Sequence, residues 1–228
     1  MVAVEAARRA GVWVSLLIAV LVAASIQTQA MAAYVPPNGT VEYQIEHSKY
    51  GVIGTHVVSF SQSGDELVVS VVIQNRVKLL FVTVHSMESD RREVWRNGRM
   101  VAYRSHTDEN SKITDVSARV EGDKLVIAGE NGTVTADGAV FPSHPWNPAI
   151  VDSSLWMETQ TGQLLHVKTV ADGGESIEVA GTPVQTKKYR VSGDIEREIW
   201  FDDSGNWIRL RFKKDGATVT LTRTTPMP

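Results

Sequence analysis

The chain has 228 residues, a net charge of −3, 43% apolar residues and no cysteine. It is long enough to bury a core without disulfides. Charges of both signs are interspersed, which excludes the basic stripe of a nucleic-acid binder and any polybasic run aimed at anionic lipid heads.

Residues 1–32 read as a cleaved signal peptide. Arg8 and Arg9 form a positive start, Gly11 to Ile26 an apolar run, and Ala30-Met31-Ala32 a small-x-small cleavage site. This sixteen-residue run falls short of the about twenty that a bilayer span takes. The expectation is therefore cleavage after Ala32, a periplasmic or secreted product, and no membrane span once the leader is removed. Retention as an inner-membrane anchor is the alternative. Residues 33–228 are expected to form one domain. Without Glu5, Arg8 and Arg9 it carries 21 basic and 25 acidic residues, a mild balance that points to no partner.

Turn signals then recur at short intervals. Ser63-Gly64-Asp65, Asn97-Gly98, Glu121-Gly122-Asp123, Asn131-Gly132 and Asp137-Gly138 punctuate the first half. Asp172-Gly173-Gly174, Ala180-Gly181, Ser192-Gly193-Asp194, Asp203-Ser204-Gly205 and Asp215-Gly216 punctuate the second. Gly, Asn and Asp supply the positive φ angles of tight turns. The intervening runs, rich in Val, Ile, Thr, Tyr and Trp, read as strands. The spacing predicts an all-β fold: one strongly curved antiparallel sheet or incomplete barrel of about a dozen strands, built from successive hairpins. Leu67 to Ile73 and Val77 to Val84 are apolar on nearly both faces. They are expected to be covered by a second sheet, the rest of a barrel, a ligand or a partner.

The pattern breaks at Phe141-Pro142-Ser143-His144-Pro145-Trp146-Asn147-Pro148, where three prolines forbid a central strand. Pro148 to Met157 leaves room for a short helical turn. A loop this long inside a compact domain is functional or packed as a lid. It is expected either to plug one end of the sheet through Trp146 and Trp156, or to overhang a cavity with His144, Trp146 and Asn147.

In the last hairpin, alternation places Ile208, Leu210 and Phe212 inside and Trp207, Arg209 and Arg211 outside. A four-residue loop would pair Trp200 with Trp207, Glu198 with Arg209 and Glu196 with Arg211. The same register puts Arg197 among core residues, where a guanidinium is costly unless paired. It lies at a wet mouth, or it reaches into a cavity to meet an anionic or polar ligand group. Glu93-Val94-Trp95 with its following strand echoes Glu198-Ile199-Trp200 with its own, which suggests a duplication or two convergent hairpins.

Catalytic and metal signatures are missing. There is no GxSxG, Walker A, HExxH or CxxC, and the six histidines are scattered without metal-ligand spacing. No cofactor or metal site is expected. Asp202-Asp203-Ser204-Gly205-Asn206 reads as a hairpin turn, because a calcium loop needs a distal bidentate glutamate.

Tyr43-Gln44-Ile45, Ile53-Gly54-Thr55-His56, Glu93-Val94-Trp95-Arg96-Asn97-Gly98, Trp146-Asn147-Pro148, Val179 to Val184 before Tyr189-Arg190, and Ile199-Trp200-Phe201-Asp202 resemble exported bacterial proteins catalogued as domains of unknown function. The resemblance spans the processed chain and implies an all-β fold and export, with no assigned catalytic residues. The strand–turn ending is similar to that of periplasmic lipoprotein carriers, by analogy of fold. The expected function is non-catalytic. It is binding of a lipid-like amphipathic molecule, or of an envelope protein, with Arg197, His144, Trp146 and Asn147 as candidate contacts. The rivals are a structural envelope factor without a cavity, and an enzyme using the His144–Asn147 loop.

Overall fold

The computed structural model describes residues 39–227; the expected signal peptide lies outside them. Alternating burial dictates the architecture. In β3 (Glu66–Leu79), Leu67, Val69, Val71 and Ile73 are buried while the residues between them are not, which is the two-residue period of a sheet with one face on a core. The first arm runs β1 (Thr40–His47), β2 (Gly51–Ser63), β3, β4 (Val82–Arg96), β5 (Arg99–Glu109), β6 (Lys112–Glu121), β7 (Lys124–Gly129) and β8 (Gly132–Asp137). The second runs β9 (Phe141–Pro142), a 3-10 turn (Pro148–Asp152), β10 (Leu155–Met157), β11 (Leu164–Val179), β12 (Thr182–Gly193), β13 (Arg197–Phe201), β14 (Trp207–Lys214) and β15 (Ala217–Arg223).

All fifteen strands share one sheet, in the order β8-β7-β6-β5-β4-β3-β2-β1-β15-β14-β13-β12-β11-β10-β9. Every pairing is antiparallel except β9 with β10. The seam between the arms is β1 on β15, with Tyr43 opposite Arg223 and Ile45 opposite Leu221. The end strands β8 and β9 do not pair, so the sheet curls without closing.

Beyond the end of β7 the sheet rests on the loop after β10. The Glu130 N–H donates to the Thr161 carbonyl at 3.0 Å. At Gly129 a Cβ would stand 2.1 Å from that same oxygen, so only glycine permits this approach.

The inner face holds one large core, including Val69, Val71, Ile127, Trp156 and Ile199. The Pro/Trp segment runs through it: every residue from Val140 to Asn147 is buried. Trp146 stacks edge-on against Trp95 and Phe60, and Trp156 is fully buried in the same core. Pro148–Asp152 supplies the short helical turn, with the Asn147 side chain accepting from the Ala149 N–H at 3.1 Å. A small outer cluster of Ile177, Val179, Trp200 and Ile208 is covered by Val184 and Met227.

The last hairpin differs from its expected register. Glu198 faces Arg211, Trp200 faces Arg209 and Phe201 faces Trp207, with a bulge between Trp200 and Phe201. Glu198 does not meet Arg209, and Trp200 does not meet Trp207. The cause is the turn: Asp202 Oδ1 accepts the Ser204 and Asn206 N–H groups at 2.9 and 2.7 Å. Ile208 is left as the extra residue of the bulge, and an extra residue turns its neighbours over. Trp207 therefore points into the core and Ile208 out of it, the reverse of the simple alternation. The β4–β5 hairpin carries the same kind of bulge, at Val101. However, Trp95 faces inward and Trp200 outward, so the sequence echo does not superpose side chain on side chain.

Candidate functional site

Inside the curl lies a cavity of about 730 Å³, within the size range of small-molecule sites. Its wall is apolar, with Ile45, Ile53, Ile73, Leu210, Phe212 and Leu221 among the lining residues. Three hairpin tips frame its mouth: Ser48 to Tyr50, Leu79 with Val84, and Lys214 to Gly216. The buried segment Ser143-His144-Pro145 forms part of its floor.

Strand alternation delivers the polar floor. In β4, Ser89, Arg91, Glu93 and Trp95 lie on the inner side; in β2 it is His56, and in β13 Arg197. Arg197 Nη1 donates to the Ser143 carbonyl at 2.6 Å, and its guanidinium lies 5.7 Å from the Phe212 ring centre. Arg91 Nη1 donates to Thr159 Oγ1 at 2.7 Å, and its Nε to Ser89 Oγ at 3.2 Å. Neither guanidinium forms an ion pair with a carboxylate among the described residues. Glu158, which also lines the cavity, turns its Oε2 to the N–H groups of Gln160 and Thr161 at 2.7 Å each. Three further polar atoms at the cavity residues, the Trp207 Nε1 donor, the Ser143 hydroxyl and the Asn75 Oδ1 acceptor, are buried without a hydrogen-bond partner. A buried group left so is costly.

Behind the floor runs a buried chain of titratable groups. Glu93 is fully buried, and its Oε2 accepts the indole N–H groups of Trp95 and Trp146 at 2.8 Å each. Its Oε1 stands 3.4 Å from His144 Nδ1, and His144 Nε2 stands 3.1 Å from His56 Nε2. Burial pushes the Glu93 carboxyl from 4.5 up to about 7, against the pull of the two indoles and of Arg91. Burial also holds both imidazoles well below 6.5. The neighbouring His144 ring and Arg91 disfavour a proton on His56 further, and Arg91 and Arg197 do so at His144. The 3.4 Å contact has the length of an ion pair, yet both shifts favour neutral partners. We therefore read acid and imidazole sharing a hydrogen bond, with His56 and His144 uncharged.

The floor is thus two guanidiniums, with the Glu158 carboxylate near Arg197, a net positive set facing an apolar cavity with a neutral hydrogen-bonding chain behind it. Such a floor attracts an anion and repels a cation. No group of three or more metal-ligating side chains occurs among the described residues.

Of the residues singled out from sequence, Arg197 and His144 meet at this floor. Trp146 lies in the wall behind Glu93, and Asn147 caps the 3-10 turn; neither lines the cavity. Arg91, Glu93, His56 and Trp207 escaped the sequence reading. The signal for two of them was present: once Trp95 is inward, the two-residue period carries Glu93 and Arg91 inward too.

The sequence matches the family described as "Domain of unknown function (DUF6134)" over residues 43–224. The chain belongs to that family. Among solved structures it is similar to a beta-barrel-like protein of Domain of Unknown Function DUF1849 from Brucella abortus. The two are 9% identical with a TM-score of 0.60, over 82% of this chain and 95% of that one. At that identity the likeness is one of fold. No curated protein matches the sequence.

Proposed function

We propose that this family member is a non-catalytic binder of an amphipathic anion, a molecule with an acyl-like tail and a carboxylate or phosphate head. The observation that carries the reading is the pair of guanidiniums, Arg91 and Arg197, that make no direct ion pair and outnumber the one carboxylate, Glu158, beside them at the floor of an apolar cavity. The tail lies along Ile45, Ile73, Leu210 and Phe212, and the head meets Arg197 and Arg91. Apolar contact supplies most of the affinity and the charged floor sets orientation and selectivity. The leader sequence supports a periplasmic or secreted setting, where an amphipath needs a shielded carrier. An interior with a cavity this size supports a carrier over a purely structural envelope factor. His144, walled in between Glu93 and His56, gives little support to catalysis from its loop.

The test is displacement of a fluorescent fatty-acid probe. A fatty acid and its alcohol of equal chain length are compared on the parent and on Arg197→Leu. The parent should prefer the acid, and the variant should bind it about 1–3 kcal/mol more weakly while remaining folded. Equal binding of acid and alcohol by the parent, or an unchanged affinity in the variant, would sink the anion assignment.

A further inference from the structure

The hairpin joining β3 to β4 breaks the turn chemistry followed elsewhere in the sheet. Two-residue turns occur at Asn97-Gly98, Asn110-Ser111, Ala180-Gly181 and Asp215-Gly216, and their first residues take φ angles of 49°, 53°, 48° and 50°. The β3–β4 turn is also two residues long, with Leu79 opposite Val82, and its first residue again takes a positive φ. Its two residues, however, are Leu80 and Phe81. Leu80 adopts φ 56°, a left-handed conformation that a bulky side chain rarely takes and that stores strain. The side chains gain nothing in return within the described chain: Leu80 is 94% exposed, Phe81 100% and Val82 65%. Leu79 and Val84, at the base of the tip, are each about half exposed. Val52, at the neighbouring β1–β2 turn, is 60% exposed.

The position of this tip identifies what covers it. Leu79 and Val84 also line the cavity mouth, so apolar surface runs unbroken from the tip of the hairpin into the cavity. A second copy or another folded protein is a poor occupant. A stable interface takes about 800 Å² per partner with a complementary shape, and a finger one hairpin wide with five such side chains offers neither. A bilayer interface asks for no shape complement and accepts short apolar projections, Phe among them. The surrounding charge is mixed and nearly balanced: Lys49 and Lys78 stand against Asp215, and Lys214 is paired with Glu109 at 2.7 Å, which leaves one positive charge in excess. Attraction to anionic heads is therefore not the driving force.

We infer that the β3–β4 tip is a membrane-docking element: Leu80, Phe81 and Val82 insert into the surface of a lipid bilayer and bring the cavity mouth against it. Docking stands on the tip alone. Only the further statement, that an amphipath passes between bilayer and cavity along Leu79 and Val84 without crossing water, rests on the carrier reading above.

The experiment is flotation of the purified protein with phosphatidylcholine vesicles and with phosphatidylethanolamine–phosphatidylglycerol vesicles, at low and at high salt. The parent should float with both, and high salt should leave the bound fraction largely unchanged, because insertion is apolar. Leu80→Asp with Phe81→Asp should lower the bound fraction at least tenfold. Leu80→Asn with Phe81→Gly restores ordinary turn chemistry, so it should also lose the vesicles while melting at or above the parent temperature, which separates lost docking from lost folding. In F81W, the new indole should shift to the blue and be quenched by brominated lipid when vesicles are added. A parent that stays in solution, or tip variants that float as well as the parent, would overturn the inference. So would tip-dependent self-association in sedimentation without vesicle binding. If the parent ignores vesicles yet binds the fatty-acid probe, docking fails and the carrier reading survives. If it floats but binds no probe, the reverse holds.

Discussion

Replacing Glu93 with Gln should make the protein more stable at alkaline pH and leave it little changed in acid. Burial raises the carboxyl from 4.5 to about 7, and each pKa unit is worth about 1.4 kcal/mol, so ionising Glu93 in place costs roughly 3–4 kcal/mol. A folded-state pKa above the unfolded one means that stability is fully present below about 4.5 and is lost as pH rises through 7. The two imidazoles work in the opposite sense. Their depressed pKa values give stability above 6.5 that is lost as pH falls below it. The parent is thus squeezed from both sides, and E93Q removes only the alkaline limb. The amide can still accept from Trp95 and Trp146 through its oxygen and donate to His144 Nδ1 through its nitrogen, so the network geometry persists. Urea unfolding from pH 5 to pH 8 should show E93Q within about 0.5 kcal/mol of the parent at pH 5. At pH 8 it should be more stable by about 2–3 kcal/mol. A variant less stable than the parent at pH 8, with a deficit constant across the range, would refute the neutral chain. It would mean an ionised Glu93 paired with a charged His144.

Gly129→Ala should destabilise by about 2–3 kcal/mol, because its Cβ would stand 2.1 Å from the Thr161 carbonyl oxygen; a melting temperature equal to the parent's would show that the loop after β10 does not rest on β7. Exchanging the charges of Glu198 and Arg211, joined at 2.6 Å, should restore only part of what either reversal loses, because Glu198 also pairs with Lys188. The coupling energy in a double-mutant cycle should stay below about 1 kcal/mol, because the pair is partly exposed. The same cycle on Glu198 and Arg209 should give no comparable coupling.

The architecture was legible because hairpin turns must carry positive φ, and Gly, Asn and Asp announce where. Asn97-Gly98 and Asp215-Gly216 mark turns that the structure forms. What failed was local and had a cause. Asp202, caught by two N–H groups of its own turn, forces a bulge at Ile208, and alternation alone cannot foresee an inserted residue. Trp207 consequently looked like surface when it belongs beside Tyr43, His56 and His144. The site was half visible. Arg197 announced itself as a charge on a core face, whereas Glu93 and Arg91 hid in a strand so rich in charge that it reads as solvated. Leu80 and Phe81 were visible only as part of an apolar run in need of cover, since nothing local says where a hairpin tip will protrude.

The seam between β1 and β15 has a consequence for how the chain finds this shape. Tyr43 must meet Arg223 across nearly the whole sequence, while every other pairing joins strands that are neighbours along the chain. That single long-range closure raises the average sequence separation of contacts, which slows folding. The seam also brings Thr224 N–H to the Glu42 carbonyl at 2.9 Å, so a short turn could join the last strand to the first. A chain so joined and reopened between β8 and β9 would read β9 to β15 and then β1 to β8. Every strand would then follow its sheet neighbour in order, with no distant pairing left to find. Such a rearranged chain should reach the same curled sheet faster than the natural one, its two arms becoming a single meander from β10 onward.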